Sequence, residues 1–463
     1  MGNMNSASSP WSLADSSGLP ATLVRETIRA ARVDRRWSAA RPFAVAGYPS
    51  PDDATWTYVK LAAGLWILCT DERGDVTAMH LAKAIRTSAQ RAKDGIVYES
   101  SFDPYCSWSG PVGWFPGPAL LIAQLKSDFR SLIIRTCSLP PADHSSAPSA
   151  TNQISQCKLN LGAISVLALQ VNAVRRCLLV LYKDLGHEAR FAFLSVWRWS
   201  PNEDVMEHPP KHVMRTAPFE VREPRSCHRV GVLIEPVFSY SRGRDDQIGQ
   251  AKDCEFCVAE YIGGPHVLVV RASENATHFE FYDFPAGDDI PEPALIEPEP
   301  RMPIVGLSIP LECHHITLPQ SSWTGAGAVH AITVLLCTAR SMRHTELLAY
   351  RVAFDGRSAS LSFMGGNSLP EYADLIDCVL GERGVRGVAS IAAPRRDTRV
   401  TLALLTCDGT FRSSMLEHPI FDLHQPMRLA FDEIRATVAF LDSESDVHIV
   451  LFDSDLHYEL ERA

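Results

Sequence analysis

From about residue 55 onward, the chain repeats one pattern: two apolar, β-branched or aromatic runs of five to eight residues joined across a short polar turn. LWILCT-DERGD-VTAMHL (65–81) is the first, with Gly74 supplying the turn. RCLLVLY and RFAFLSVWRW (176–182 and 190–199) repeat it across KDLGHEA, and HVLVVRA and HFEFYDF (266–272 and 278–284) across SENAT. VHAITVLLC and ELLAYRVAF (329–337 and 346–354) continue the series, followed by VTLALLT and FRSSML (400–406 and 411–416) across CDGT. TVAFL and VHIVLF (437–441 and 447–452) close it across DSESD. Each is a strand–turn–strand signal. A lone hairpin cannot bury its apolar face, so such units must stack on one another. The expected fold is all-β: a β-propeller-like ring of antiparallel hairpins, its blades about 40–45 residues apart. One or two β-sandwiches are the alternative. The repeating hairpins favour the propeller, and the missing GH…WD signature argues against it.

A different period precedes the hairpins. LPATLVRETIRAARVDRRWSAARP (19–42) places Leu23, Ala30, Val33 and Trp37 seven, three and four residues apart, one face of a helix. Pro20 suits an early helical position and Pro42 a stop. Arg25, Arg29, Arg32, Arg35 and Arg36 are interleaved with Glu26 and Asp34, which reads as a solvated face and not a nucleic-acid helix. Val33 and Trp37 read as packing residues. Residues 1–18 are small and polar, the composition of a disordered tail. The Met1-Gly2…Ser6 match to an acylation signal has no basic residue beside it until Arg25, so the tail reading is preferred. Two exposed loops are expected, a Pro/Ser/Ala-rich one at 138–153 and an acidic, Pro-rich one at 285–303. The resulting division is a tail at 1–18, a helical segment at 19–44 and the β domain at 45–463.

Charge and cysteine usage narrow the function classes. The net charge of −10 disfavours bulk attraction to nucleic acid or anionic membrane. No apolar run approaches membrane-spanning length, and AITVLLC (331–337) is strand-sized. The opening MGNMNSASSP has neither the basic nor the apolar region of a secretion signal. Twelve scattered cysteines then suggest reduced, buried thiols in the cytoplasm or nucleus. The sequon at Asn275 would go unused there.

Candidate chemistry is sparse. CEFC (254–257) has metal-ligand spacing, with Cys227-His228 or Cys313-His314-His315 as the candidates to complete a site. DCEFCVAEYI reads as a strand, however, where residues three apart point to opposite faces. The adjacent histidines face the same objection, so one should point in and the other out. GAGAVH (325–330) leads into a strand, not into a helix N-terminus that would hold phosphate. Asp432-Glu433, Asp52-Asp53 and Asp288-Asp289 fall at turns, where Asp serves turn geometry. No hydrolase, nucleotide-loop, zinc-protease or calcium-loop motif occurs. No catalytic residue, cofactor or metal site is assigned.

Certain phrases carry a family resemblance. Leu19-Pro20 opens the helix, and Val33-Asp34-Arg35-Arg36-Trp37 ends it before Pro42. GLWILCTDERGDVTAMHL (64–81) follows, and GERGVRGVAS (381–390) and RLAFDEIRATVAFLDSESDVHIVLFD (428–453) come late. Together these resemble a large F-box family of mushroom-forming fungi, whose members carry an N-terminal F-box and then a divergent WD-like propeller. The resemblance implies a non-enzymatic substrate receptor of an SCF-type ubiquitin ligase. Leu19, Pro20, Leu23, Val33 and Trp37 would then contact the Skp-type adaptor, while the propeller binds other proteins. Only nine residues separate Leu23 from Val33, where an F-box carries several more helical turns. On that resemblance, the segment would be the fused first and last pieces of a truncated F-box.

Overall fold

The computed structural model describes residues 21–50, the strands and a few connections between 55 and 220, most of 257–283, and 300–456 apart from short breaks at 320–329, 342–343, 394–398 and 424. All six hairpins read from the sequence pair antiparallel, from Trp66–Asp71 with Val76–His80 to Thr437–Leu441 with Val447–Leu451. A seventh unit, Ala119–Leu125 with Ser131–Ser138, escaped the pattern. Each hairpin is completed by further strands, giving seven sheets; in blade six both added strands lie on the inner side of the hairpin. Blade one spans 56–98, blade two 108–160, blade three 164–216, blade four 257–309, blade five 315–368 and blade six 374–416. Blade seven takes three strands from 428–451 and its outermost from the other end of the chain, β1 (Ala44–Tyr48). The innermost strand of every blade touches the next blade, and blade one touches blade seven, so the sheets form a closed β-propeller.

The sheets stack because their middle strands are apolar on both faces, as expected for sheets covered on both sides. In blade seven, Val438 and Phe440 pack toward blade six with Leu402 and Leu404. Ala439 and Leu441 pack the other way with Trp56, Ile67 and Cys69 of blade one. The period-two alternation of one strand thus feeds two inter-blade cores. Similar clusters lie between blades three and four, four and five, and five and six. All seven described cysteines are buried, free thiols.

Ring closure rests on the DSESD turn of blade seven. Asp442 accepts amide hydrogens of Glu444 (2.9 Å) and Asp446 (2.8 Å) through Oδ1, and its Oδ2 lies 2.9 Å from His448 Nε2. Asp446 Oδ1 in turn accepts the Ser50 amide just beyond β1, at 2.8 Å. Gly47 lies opposite the His448 ring, where an added Cβ would come within 3.3 Å of Nδ1.

The 138–153 loop lies almost wholly outside the described residues. Of the 285–303 loop, the last part is held and not merely solvated: Pro300–Arg301 pairs in parallel with the outer strand of blade three.

Candidate protein-interaction face

The N-terminal helix, α1, runs from Ala21 to Ser38. It ends four residues before Pro42, through backbone capping. The Ala40 amide bonds the Trp37 carbonyl (3.0 Å) and the Arg41 amide the Arg36 carbonyl (2.9 Å). Ala40 itself adopts φ +48°. This is a Schellman stop with alanine where glycine is usual. The chain then passes directly into β1, so α1 is tethered beside blade seven.

One face of α1 is consumed by the propeller. Arg29, Val33, Arg36 and Trp37 recur at helical spacing and all turn inward. Trp37 is 2% exposed, between Phe431 and Phe452 at ring-centroid distances of 5.1 and 4.9 Å, and its indole N–H donates to the Leu405 carbonyl. Val33 joins the same core between blades six and seven. Arg29 Nε donates to buried Asp453 at 2.5 Å, and Arg36 donates to the Phe452 carbonyl while stacking over Phe43. Asp34 pairs with Arg386, whose guanidinium also approaches the Trp37 ring.

Arg386 belongs to a turn built around one buried carboxylate. The inner turn of blade six (Gly381–Val385) wraps Glu433, which sits in the inner turn of blade seven. Glu433 accepts the amides of Arg383 (2.7 Å), Val385 (3.0 Å) and Arg386 (2.9 Å). Burial pushes its carboxyl pKa up, and the three amides and the Arg386 charge pull against that shift. A Cβ on Gly381 would lie 2.3 Å from that of Glu433, and Gly384 has φ +64°. GERG is thus part of a mould for a carboxylate. Asp432 serves its turn as expected, accepting the Arg435 amide at 2.9 Å, whereas Glu433 locks two blades together.

At the channel, Lys60 of blade one faces the fields of Glu260 from blade four and Glu382 from blade six. Burial pushes the Lys60 amine down to about 8, against the pull of those two acids. Tyr58 is pushed up to about 12, by burial first and then by Asp377, with Arg428 opposing. Asp377 is itself held by the Leu429 amide at 2.8 Å. Lys60 thus stands among charges of opposite sign, and Asp377 and Arg428 act on Tyr58 in opposite directions.

Among the adaptor residues suggested by the resemblance, Leu19 and Pro20 lie outside the described residues. Leu23 is exposed, whereas Val33 and Trp37 are buried in the propeller core. The metal candidates separate likewise. Cys257 packs between blades three and four, while Cys254, Cys227 and His228 lie outside the described residues. Cys313 is buried and receives the Thr277 hydroxyl at 3.2 Å. His314 and His315 are both half-buried, not one in and one out, and His315 Nε2 sits 2.8 Å from the Thr317 hydroxyl. No cluster of metal-ligating side chains occurs among the described residues. Of the GAGAVH segment only His330 is described, as the first residue of a strand.

What remains open is the solvent side of this end of the ring. Ile434 is 65% exposed, Leu23 49%, Ile28 41% and Val385 37%. Reading the sequence alone missed Arg386, Glu433 and Asp453, because their partners lie roughly fifty to several hundred residues away. The paired glycines of GERG were the available signal.

No family model matches the chain, and no curated protein does. Among solved structures, the β-propeller domain of Myceliophteria thermophila Cps50 (Swd1) covers 86% of this chain and 98% of its own, at 12% identity and a TM-score of 0.47. The WD40 repeats of RRP9 cover 88% and 97% at 9% identity and 0.43. The WD40 β-propeller domain of Doa1 covers 89% and 97% at 10% identity and 0.40. Likeness at this level carries no argument about partners, and the propeller assignment rests on the strand order and closure described above.

Proposed function

We propose that the protein is a non-enzymatic protein-interaction module that engages partners at the end of the propeller where α1 crosses the inner turns of blades six and seven. The carrying observation is that α1 buries one face in the ring and leaves a set of large apolar side chains beside it exposed. Exposed large apolar side chains carried on a rigid scaffold are a feature of interaction sites. Proximity labelling with the full chain in its own cells tests this. A set of labelled proteins should vanish with Ile434→Asp and persist with Phe363→Asp, an exposed residue on the outer strand of blade five. Persistence in an Ile434→Asp, Leu23→Asp double variant would overturn it.

A finer reading follows from the family resemblance and from the exposure of Leu23. Residues 19–44 are an F-box remnant, and the chain is a substrate receptor of an SCF-type ubiquitin ligase acting in the cytoplasm or nucleus. Because Val33 and Trp37 are buried, a Skp-type adaptor would grip the start of the helix around Leu19, Pro20 and Leu23. Co-expression with the adaptor, followed by size-exclusion chromatography, tests this. One shared peak that Leu19→Asp abolishes supports the reading, and two separate peaks leave a scaffold with no ligase role.

A further inference from the structure

Blade four holds a histidine between two serines. Side chains alternate along a strand, so His278 and Glu280 share the face of Tyr282, which joins Val267 and Val269 in the core against blade three. On the outer strand, Ser308 stands directly opposite His278 in the antiparallel register, and its Oγ lies 2.8 Å from His278 Nδ1. Across the turn from Ala272 to Thr277, Ser273 Oγ lies 3.1 Å from His278 Nε2. Ser308 is exposed, whereas His278 and Ser273 are half-buried. Gly306, two positions before Ser308 and on the same face, has open space where a side chain would stand. The approach to the Ser308 hydroxyl is therefore free on that side.

Hydrogen bonding decides which ring nitrogen carries the proton. A serine hydroxyl has one proton to give, and Ser273 donates it to the Ala276 carbonyl at 3.0 Å. Ser273 can then only accept from the ring, so the imidazole proton sits on Nε2 and Nδ1 offers its lone pair. Ser308 donates to that lone pair. Burial, with the Arg271 charge next, pushes the imidazole below the ordinary histidine pKa, against the pull of Glu280. The ring is thereby kept neutral and able to take a proton. Arg271 is itself paired with Glu280 at 2.7 Å. Nucleophile, base and orienting group thus follow one another in the order that activates a serine.

We propose that Ser308 is a nucleophilic serine that takes one acyl group from a thioester, with His278 as its general base and Ser273 positioning the ring. Ser308 Oγ attacks the thioester carbonyl as its proton passes to His278 Nδ1. The C–S bond then breaks, the sulfur leaves with the bonding pair and takes the proton from His278, and an ester remains on Ser308. Among the described residues no second side-chain donor reaches Ser308, so a developing oxyanion gains little help there. That restricts the donor to an activated acyl group and leaves the less reactive serine ester in place. The site is one of covalent modification, on a chain that remains an interaction module.

Incubation of the full chain with S-phenyl thioacetate tests this, with peptide mass spectrometry to locate the acetyl group and absorbance to follow thiophenolate. The acetyl group should appear on Ser308. Thiophenolate released in excess over Ser308→Ala should stop at one equivalent per chain. Acetylation of Ser308 should slow by about a hundredfold in His278→Gln. Ser273→Ala should slow it as well, and Ser273→Thr, which restores the hydroxyl, should recover the rate. Matched circular dichroism melts confirm that each variant is folded. An unmodified Ser308, or one acetylated as fast in His278→Gln as in the native chain, would overturn the proposal. A folded Ser273→Ala that reacts at the native rate would overturn the positioning role. Ser308-dependent release that continues past one equivalent would overturn the single transfer, and with it the non-enzymatic reading above.

Discussion

Glu433 and Gly381 are a pair in which each residue explains the other. The carboxylate needs three converging amides, and the amides can converge only where position 381 has no side chain. Gly381→Ala should therefore destabilise the protein by about 1–3 kcal/mol, read from urea denaturation, since backbone and not a flexible side chain must move. Lys60 makes a second residue-scale prediction. Its folded pKa of about 8 lies below the ordinary lysine value, so the folded state holds fewer protons than the unfolded chain between about pH 8 and 10.5. The stability linked to the neutral amine is present above the unfolded pKa and lost as pH falls through about 8. Lys60→Met should thus raise the melting temperature near neutral pH, and the gain should shrink toward pH 10.5. A gain independent of pH would mean that the amine is not desolvated. Neither residue could be picked from the sequence, because each depends on groups brought in from other blades. GERG read as a late-blade phrase and DE as a turn, but nothing local showed that they meet.

At the scale of elements, what was legible depended on burial. Middle strands such as Thr437–Leu441 and Val447–Leu451 are fully buried on both faces, so their apolar runs stand out between DSESD-type turns. Outer strands bury little; Ala359–Ser368 alternates between half-buried and exposed positions and carries Gly365-Gly366, which weakens any pattern. Blade two was missed for a related reason. Its inner strand, WSGPVGWF, is interrupted by glycine and proline, which breaks the apolar alternation ahead of the hairpin. The helix was legible from its period, and Val33 and Trp37 as packing residues from their spacing. Their receiving surface, some 370–415 residues away at Leu405 and Phe452, was not. The cap of α1 offers a direct test. Ala40 occupies the left-handed position that glycine fills without strain, so Ala40→Gly should stabilise by about 0.5–1 kcal/mol in denaturant melts. Asp442→Ala should act in the other direction, by about 2–4 kcal/mol, because it strands buried donors of the closing turn.

At the scale of the whole molecule, the account joins the two ends of the chain. β1 completes the blade formed last, and α1, immediately before it, docks across the joint between blades six and seven. The helix is therefore packed into the propeller, even where its residues resemble an adaptor-binding motif. Six of seven blades were legible as hairpins, enough for the fold class, whereas closure was not, because β1 is short and only partly buried. The most direct measurement is hydrogen exchange by mass spectrometry on the full chain, comparing the native sequence with Trp37→Ala, a change expected to cost about 3–5 kcal/mol locally. The account predicts protected amides across 21–38 in the native protein, with protection lost there and reduced over 381–386 in the variant. Amides across 21–38 that exchange as freely in the native protein as in the variant would contradict it.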